Sequence, residues 1–578
     1  MNDISNEKLA QILLEIGEYL EIEEIPFKPI AYKKAHDAIL DLEEKVSDIY
    51  KNGGLKALEE ISGVGISIAE KIEEFIKTGR ISYYEELKKK IPIKLSDFSN
   101  IEGLGIKSIK YFYQKLGIKN LQDLEKALHS GKIAKLKGFG EKSQEKILKG
   151  IEFLKNNNGR FILGFIEPEI EAIKDRLANL NGVKKINIAG SIRRRKETVG
   201  DADILIISDK PKPIMDFFVN MKEVAGVIGH GQTKSSVKLF SGINVDLRVV
   251  PAISYGAALN YFTGSKSHNI ALRLIAIKNG FKLNEYGLFS EKNGIEKMVA
   301  GKTEEEIYKK LGLDYIEPEL RENLGEIELA KNHKLPKLIG YNDLKGDLQV
   351  QTDWSDGSES IEKMALRAID KKLEYIAITD HTKSLSVANG LDEKRLIKQM
   401  TEIDRLNKKF KGKIKILKGT ECDILKDGSL DISDSVLEKL DVVGIAVHSS
   451  FNLTQDDQTK RICRAMKNKN ADILFHPTGR IINQRSAYNI DINTIIKTAV
   501  ETKTIMEIDA FPSRLDLSDE NVRKCVENGV KMAIDSDAHK SDHFDYLKYG
   551  ISVARRGWAQ KKDIINTLSL ENMKKLLK

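Results

Sequence analysis

The stretch from Ile188 to Leu205, IAGSIRRRKETVGDADIL, decides how the first half of this chain folds. It reads as a strand, a tight turn at Gly190-Ser191, a basic loop and a second strand. Asp201 and Asp203 open the second strand two residues apart, and a strand's side-chain period of two sends both carboxylates to one face. Carboxylates side by side repel each other unless a cation lies between them. Arg193, Arg194 and Arg195 follow the glycine turn, so a divalent-metal site stands beside an anion site. That pairing suits a nucleoside triphosphate carrying Mg²⁺, an ion that keeps most of its water and takes few carboxylate oxygens. A lone D-x-D is more simply an edge strand with solvated charges; the glycine turn and the arginines reverse that preference.

Outward from this stretch, residues 160–250 read as mixed α/β, with strands at INIAGS, ADILIIS and INVDLRVV. The last strand carries Asp246, a carboxylate inside an apolar run. Alone it could be a salt-bridged core residue. Beside Asp201 and Asp203 it completes a set able to hold two metals about 3.5–4 Å apart, the arrangement that stabilises both oxygens of a phosphoryl displacement. The α/β character returns over residues 255–313, which include YFTGSKSHNIALRLIAIKNGFKLNEYGLF.

Upstream, residues 1–80 read as a small helical unit with apolar residues at three- and four-residue spacing. Gly63-Val64-Gly65 makes a tight turn between two helices, and the pattern returns at Gly103-Leu104-Gly105 and Gly138-Phe139-Gly140. A helix-hairpin-helix exposes backbone N–H groups at the start of its second helix, where a phosphate is favoured. Three copies, each followed by a lysine-bearing helix, point to gripping DNA backbone without reading its sequence. Charge distribution agrees: residues 1–50 carry twelve acids against five Lys and Arg, whereas residues 101–150 carry eleven lysines against five acids. Asn156 to Gly159 form a polar break.

Downstream, residues 314–345 read as a linker with little strand or core signal. Then short apolar runs alternate with helical segments: YIAITDH, IKILKGTECDI, VVGIAVHSSF, ADILFHPTGR, TIMEIDAF and KMAIDSDAH. This is the βα repeat of a barrel-like domain, whose strand C-termini meet at one mouth. His381, Glu421, His448, His476, Asp537 and His539 stand at those ends and are expected to converge as a metal cluster.

Composition bounds the rest. The 578 residues require several domains, and 41% hydrophobic with 31% charged residues is a globular balance. No apolar run reaches the roughly 18 residues of a membrane span, and the acidic amphipathic N-terminus lacks the pattern of a signal peptide. Three scattered cysteines exclude a disulfide framework or zinc ribbon and suit a reducing cytoplasm. A net charge of +8 is too mild to establish nucleic-acid binding alone.

These motifs, in this order, resemble the family X DNA polymerases of the DNA polymerase beta group, followed by a PHP (polymerase and histidinol phosphatase) domain. The resemblance covers essentially the whole chain. It implies a multi-domain fold: helical helix-hairpin-helix domains at 1–85 (lyase-like) and 86–155 (fingers), an α/β nucleotidyltransferase palm at 156–252, and a thumb at 253–320. A linker at 321–342 and a distorted (βα)7 PHP barrel at 343–578 complete it. By resemblance Asp201, Asp203 and Asp246 bind two catalytic Mg²⁺ ions, and Ser191 and Arg194 hold the triphosphate. The YFTGS motif stands at Tyr261-Phe262-Thr263-Gly264-Ser265 and packs against the deoxyribose. Asn269 contacts the incoming base and Arg273 the template strand, while Gly63, Gly65, Gly103, Gly105, Gly138 and Gly140 mark the DNA-binding hairpins. Asn244 replaces an arginine that neighbours the third Asp in the beta enzyme, and His268 and Lys266 receive no role.

Lys71 occupies the position of the family's Schiff-base lysine in the 5′-deoxyribose-phosphate lyase domain, with Lys28 and Tyr32 at assisting positions. Ser67 and Tyr83 replace phosphate-binding lysines, so holding a 5′-phosphate at a gap is expected ahead of lyase chemistry. In the PHP domain seven family ligands match: Asp356, His381, Glu421, His448, His476, Asp537 and His539. The first motif departs, because Gln349 and Gln351 replace two histidines. Of up to three Mn²⁺ or Zn²⁺ ions, one is expected to be weak or lost, since an amide carbonyl is a poorer ligand than imidazole.

The resemblance implies a cytoplasmic, monomeric, template-directed DNA polymerase that adds dNTPs to a primer 3′-OH on gapped or primer-template DNA in base excision repair, away from membranes. Its PHP domain would add Mn²⁺-dependent 3′→5′ exonuclease or phosphoesterase activity, or serve a purely structural role. The alternative is a non-templated nucleotidyltransferase, since G-S with D-x-D also marks enzymes that adenylylate other acceptors. A DNA-binding scaffold with degenerate sites is a third class.

Overall fold

The computed structural model describes residues 6–40, 42, 46–61, 63–95, 98, 101, 104–141, 143–145, 147–148, 151, 159–292 and 295–578. They form two compact units, residues 1–159 and 160–578, with the division at the polar break.

The first unit is helical, with helices Asn6–Ile22, Lys28–Leu40, Val46–Glu59, Ile66–Thr78, Ser82–Lys90, Ile106–Leu116 and Leu121–His129 among its described residues. Leu9, Leu13, Ile16 and Leu20 recur along one stripe of the first helix and are all buried in a common core with Phe75, Phe98 and Phe112. Gly79, at φ 74°, stops the fourth helix by returning its N–H to the Phe75 carbonyl. Gly65 and Gly105 are the N-cap residues of Ile66–Thr78 and Ile106–Leu116, with Val64 and Leu104 buried beneath them. The apolar residue between the glycines thus anchors each turn.

The second unit holds a palm sheet, a smaller antiparallel sheet and a parallel barrel. Strands β1 (Phe161–Ile162), β2 (Lys185–Ile188), β3 (Thr198–Val199), β4 (Asp201–Ile207), β5 (Val224–His230), β6 (Lys234–Leu239) and β7 (Asn244–Val250) build the palm. Its five-stranded sheet runs β2-β4-β7-β6-β5, with β4 and β7 parallel. In that register Asp203 lies opposite Asp246 and Asp201 opposite Asn244. Ala202, Ile204 and Ile206 on β4, and Val245 and Leu247 on β7, are buried. The alternation that fills the core therefore leaves the acids on the other face.

Helices Tyr255–Thr263 and Lys266–Lys278 follow, then an antiparallel sheet of β8 (Phe281–Asn284), β9 (Gly287–Lys292) and β10 (Ile295–Ala300). The segment read as a linker is packed rather than loose. Ile316, Leu320 and Ala330 join the same core as Leu272, Ile307 and Tyr308, and Arg321 and Glu326 are fully buried. Hydropathy hides this burial because charged residues share in it.

The barrel has seven parallel strands in sequential order: β11 (Gly346–Val350), β12 (Tyr375–Ile378), β13 (Lys415–Asp423), β14 (Val442–Ala446), β15 (Ile473–Leu474), β16 (Ile505–Asp509) and β17 (Met532–Asp535). Gln351 N donates to the Ala538 carbonyl at 2.8 Å, and Leu348 N to Asp535 Oδ1 at 2.7 Å, drawing the last strand toward the first. Strands buried on both faces explain the near-continuous apolar runs. Among the described residues no helix is long and apolar enough to cross a membrane, and all three cysteines are free.

Candidate active sites

The palm centre is built by β4, β7 and the turn before them. Gly190 has φ 63°, and a Cβ there would fall 2.6 Å from Asp203 Oδ2, so only glycine lets the turn come this close. Burial first, then the charges of Asp201 and Asp246, push the Asp203 carboxyl up to about 7; burial and then Asp246 raise Asp201 as well. The set fits divalent cations by its chemistry: three acids, crowded enough to resist ionising together. Asp246 meanwhile leans on Lys234 at 3.3 Å and Arg248 at 3.8 Å. These two cations supply the local charge that Asn244 does not.

The three arginines do not form one anion site, and this corrects the reading from sequence. Arg193 is committed to Glu304, with Nη1 2.9 Å from Oε1, and to Thr263 Oγ1 at 2.6 Å. Arg195 is committed to Glu167 and to Ser552 Oγ at 2.9 Å. Arg194 meets the backbone of the YFTGS motif: it donates to the Thr263 carbonyl, and its Nε lies 3.1 Å from Glu322 Oε1. A Cβ on Gly264 would sit 3.1 Å from Arg194 Nη1, so the YFTGS glycine makes room for this arginine. Ser191 lies in the helical turn Gly190–Arg193.

Tyr261 and Phe262 meet edge to face with ring centres 5.1 Å apart, and the Arg248 guanidinium lies 4.4 Å over Phe262. Asn269 donates to the Tyr261 carbonyl at 2.7 Å, and its own Oδ1 is buried without a partner. Arg273 lies half-buried on the same helix. Behind them runs a polar network that the sequence did not reveal. Arg321 lies against Glu304, and His268 bridges Glu326 Oε1 at 2.7 Å and the Tyr308 hydroxyl at 2.9 Å. Burial opposes ionisation of Glu304, but Arg321 and Arg193 outweigh it and hold the carboxyl at about 2.

In the helical unit a Cβ at Gly65, Gly105, Gly138 or Gly140 would meet nothing within 4 Å. Their missing side chains leave open space beside helix N-termini, room for an approaching phosphate. A Cβ at Gly63 would instead fall 3.0 Å from Lys34 Cβ, and Gly103 lies outside the described residues. Lys71 Nζ donates to the Ser67 carbonyl at 2.9 Å and sits 5.1 Å from the Tyr83 ring centre. Burial, then the Lys28 charge, lowers its pKa against the pull of Glu70 and Glu74. Tyr32 is buried in the same unit.

At the barrel mouth the strand ends bring the expected ligands together. Asp356, His381 and His539 form one group with ligand atoms within 4.8 Å of each other; His381, Glu421 and His448 form a second. His448 Nε2 lies 3.0 Å and His476 Nε2 2.7 Å from Glu421 Oε1. Asp423, two residues beyond Glu421 on the same face of β13, accepts from His448 Nδ1 at 2.8 Å. Burial disfavours a charged His448, yet Glu421 and Asp423 raise it to about 9; Asp537 and Asp356 likewise raise His539 to about 10 against burial.

These donors fit divalent ions at two positions that share His381: one at Asp356, His381 and His539, one at His381, Glu421 and His448, with His476 against Glu421 beside the second. The position of a third does not fit. Gln349 and Gln351 donate their amides to Glu421 Oε2 at 3.2 and 2.7 Å, and their carbonyl oxygens are buried without partners. Asp537, the remaining ligand there, has Arg514 Nε 3.6 Å from its Oδ2, and the same nitrogen lies 3.5 Å from Asp509. A guanidinium and two amides satisfy the charge that an ion would. Gln349 and Gln351 thus stand, with their amides on Glu421, where the ion expected to be weak or lost would lie.

Fold and site together define a nucleotidyltransferase joined to DNA-gripping helical hairpins and to a metal-binding phosphoesterase barrel. The family models that match are the helix-hairpin-helix domain over residues 4–81, the DNA polymerase beta thumb over 258–322 and the PHP domain over 347–507. "DNA polymerase/3'-5' exonuclease PolX" of Bacillus subtilis (strain 168) is 38% identical over 573 residues, 99% of each chain. "Probable phosphatase Teth514_1060" of Thermoanaerobacter sp. (strain X514) is 32% identical over 36% of this chain and 84% of its own length. DNA polymerase lambda of Rattus norvegicus is 25% identical over 55% of this chain and 58% of its own. The chain belongs to the family X DNA polymerases that carry a PHP domain. DNA binding and divalent metals come with that membership.

Proposed function

We propose that this chain fills short gaps in DNA during base excision repair by template-directed addition of dNTPs to a primer 3′-hydroxyl, releasing pyrophosphate. The observation that carries the reading is the register of Asp203 against Asp246, with Asp201 beside them and Gly190 pressed onto Asp203. Asp201, Asp203 and Asp246 hold two Mg²⁺ ions, which when bound lower the pKa of the primer hydroxyl and neutralise the leaving pyrophosphate. Arg194 and Ser191 hold the triphosphate. Tyr261, Phe262 and Gly264 pack against the deoxyribose, Asn269 reads the base edge and Arg273 supports the template. The hairpin glycines grip DNA backbone, and the site around Lys71, Lys28 and Tyr32 holds the 5′-phosphate of the gap. The enzyme acts as a cytoplasmic monomer.

The test is a one-nucleotide gapped duplex with a 5′-phosphate, each dNTP in turn, and Mg²⁺. Incorporation that follows the template base and disappears in Asp203→Ala supports the reading. Template-independent addition would favour the transferase alternative, and no addition a scaffold.

The barrel carries a second activity, Mn²⁺-dependent 3′→5′ exonuclease, favoured by the two His- and carboxylate-lined groups at its mouth. With Mn²⁺ and no dNTP the primer should shorten, and shortening that persists unchanged in His448→Ala would remove the barrel from that activity.

A further inference from the structure

The loop that joins the glycine turn to Asp201 is not held by the palm alone. Arg556, at the end of the barrel helix Leu547–Arg556, donates from Nη1 to the Arg194 carbonyl at 2.8 Å. The same nitrogen lies 3.1 Å from Glu322 Oε1, the oxygen that also accepts from Arg194 Nε. Arg556 Nε is itself fixed by Asp519 Oδ2 at 2.8 Å. At the other end of the loop, Arg480 Nη2 donates to Glu197 Oε2 at 2.7 Å, and its Nε to the Arg514 carbonyl at 3.0 Å. Between them Arg195 reaches Ser552 and stacks over Tyr549. Arg194, Arg195 and Glu197 are therefore each tied to the barrel by a polar bond of their own side chain or carbonyl.

Three consecutive arginines repel one another, and a loop left to itself pays roughly 1–2 kcal/mol per residue to be ordered. Shared partners decide where its one substrate-facing cation points. Glu322 Oε1 divides its charge between Arg194 and Arg556; without Arg556 it would draw Arg194 more tightly toward itself.

We propose that the barrel is a positioning element of the polymerase centre: Arg556 and Arg480 fix the Arg194–Glu197 loop in the place from which Arg194 meets the triphosphate. The inference rests on the reading of Arg194 as a triphosphate ligand. It gives the barrel a part in nucleotide addition that is independent of its own metals.

Steady-state gap filling by the full chain tests it, with KM for dNTP and kcat read separately. Arg480→Ala, Glu197→Gln and Arg556→Ala should each raise KM for dNTP about fivefold to tenfold, with kcat held within about twofold. The exchanged pair Arg480→Glu with Glu197→Arg should recover most of the loss. Arg556 is the more deeply buried and its variant carries the greater risk of misfolding; Arg480 and Glu197 are more exposed, and thermal unfolding of each variant identifies a folded protein. An unchanged KM in the folded Arg480→Ala and Glu197→Gln variants, while Arg194→Ala raises it, overturns the positioning role alone. An unchanged KM in Arg194→Ala removes the triphosphate reading, and the positioning role with it. A fall in kcat at constant KM would also overturn the proposal.

Discussion

The palm and the barrel mouth hold two metal-type centres in one compact unit, and they treat their charge in opposite ways. In the palm centre Lys234 and Arg248 reach Asp246, but burial and the repulsion of Asp201 and Asp246 still drive Asp203 up to about 7. The barrel centre is mixed. Its carboxylates lie against histidines, two glutamine amides and Arg514, and Glu421 is held well below the usual carboxylate range by His381 and His448 despite its burial. A centre of repelling acids is completed by the cation that arrives with its substrate; a self-satisfied centre takes ions in competition with protons and with its own arginine.

That contrast can be broken most sharply at Asp203. Asp203→Ala should lower nucleotide addition by more than about a thousandfold, with Mn²⁺-dependent shortening of a primer left in place. Equal loss of both activities would mean that the centres are not separate.

Next is the thumb network, where buried Glu304 is paired with both Arg193 and Arg321. The folded Glu304 carboxyl, at about 2, lies below the unfolded value of 4.5. Its contribution is therefore complete above pH 4.5 and is lost as pH falls toward 2, on the order of 3 kcal/mol. Glu304→Gln should remove about that much at pH 7, seen by denaturant unfolding, and flatten the acid limb. An unchanged acid limb would assign acid sensitivity elsewhere.

Asp423→Asn tests the barrel's self-satisfaction. Losing the partner that orients His448 should weaken Mn²⁺ binding about tenfold to a hundredfold by calorimetry, without changing the number of ions bound. In the parent chain Mn²⁺ affinity should rise as pH goes from 7 toward 9, because His448 surrenders a proton to the ion. A pH-independent affinity would contradict the paired state seen at Glu421.

Metal analysis of the chain at saturating Mn²⁺, with Asp203→Ala used to remove the palm ions, should give two ions for the barrel. Combined Gln349→His, Gln351→His and Arg514→Ala should admit a third. Three ions in the starting protein would show that Arg514 yields its place. The smallest effect is expected from Lys71→Ala: about threefold weaker binding of a 5′-phosphorylated gap, measured against the unphosphorylated one, since a single partly exposed cation is worth little.

Much of both centres was legible because their chemistry follows strand ends. The D-x-D opens β4 and Asp246 lies within β7, so a period of two was enough to aim them; the barrel ligands close their strands. Asp423 was equally accessible by that rule, two residues past Glu421, and was overlooked. Arg514 had no such signal: it sits in a loop, and only its proximity to Asp509 and Asp537 gives it a role. Arg193 and Arg195 misled for the same reason, since their partners Glu304 and Glu167 lie 111 and 28 residues away. Segment 314–345 was misjudged because its burial comes through Arg321 and Glu326, residues that hydropathy counts as exposed.

The sequence by itself determined the succession of helical hairpins, polymerase and PHP barrel, and that Asp201 and Asp203 open one strand on a shared face. These rest on local rules: backbone period, turn chemistry and the scarcity of residues that can ligate a metal. Only the tertiary structure decided which partner each of the three arginines meets, that two glutamine amides lie on Glu421 at the barrel mouth, and that the barrel grips the loop before Asp201. Those are questions of which charge meets which across long stretches of chain, and charge pairing, unlike hydrophobic periodicity, leaves no pattern in sequence.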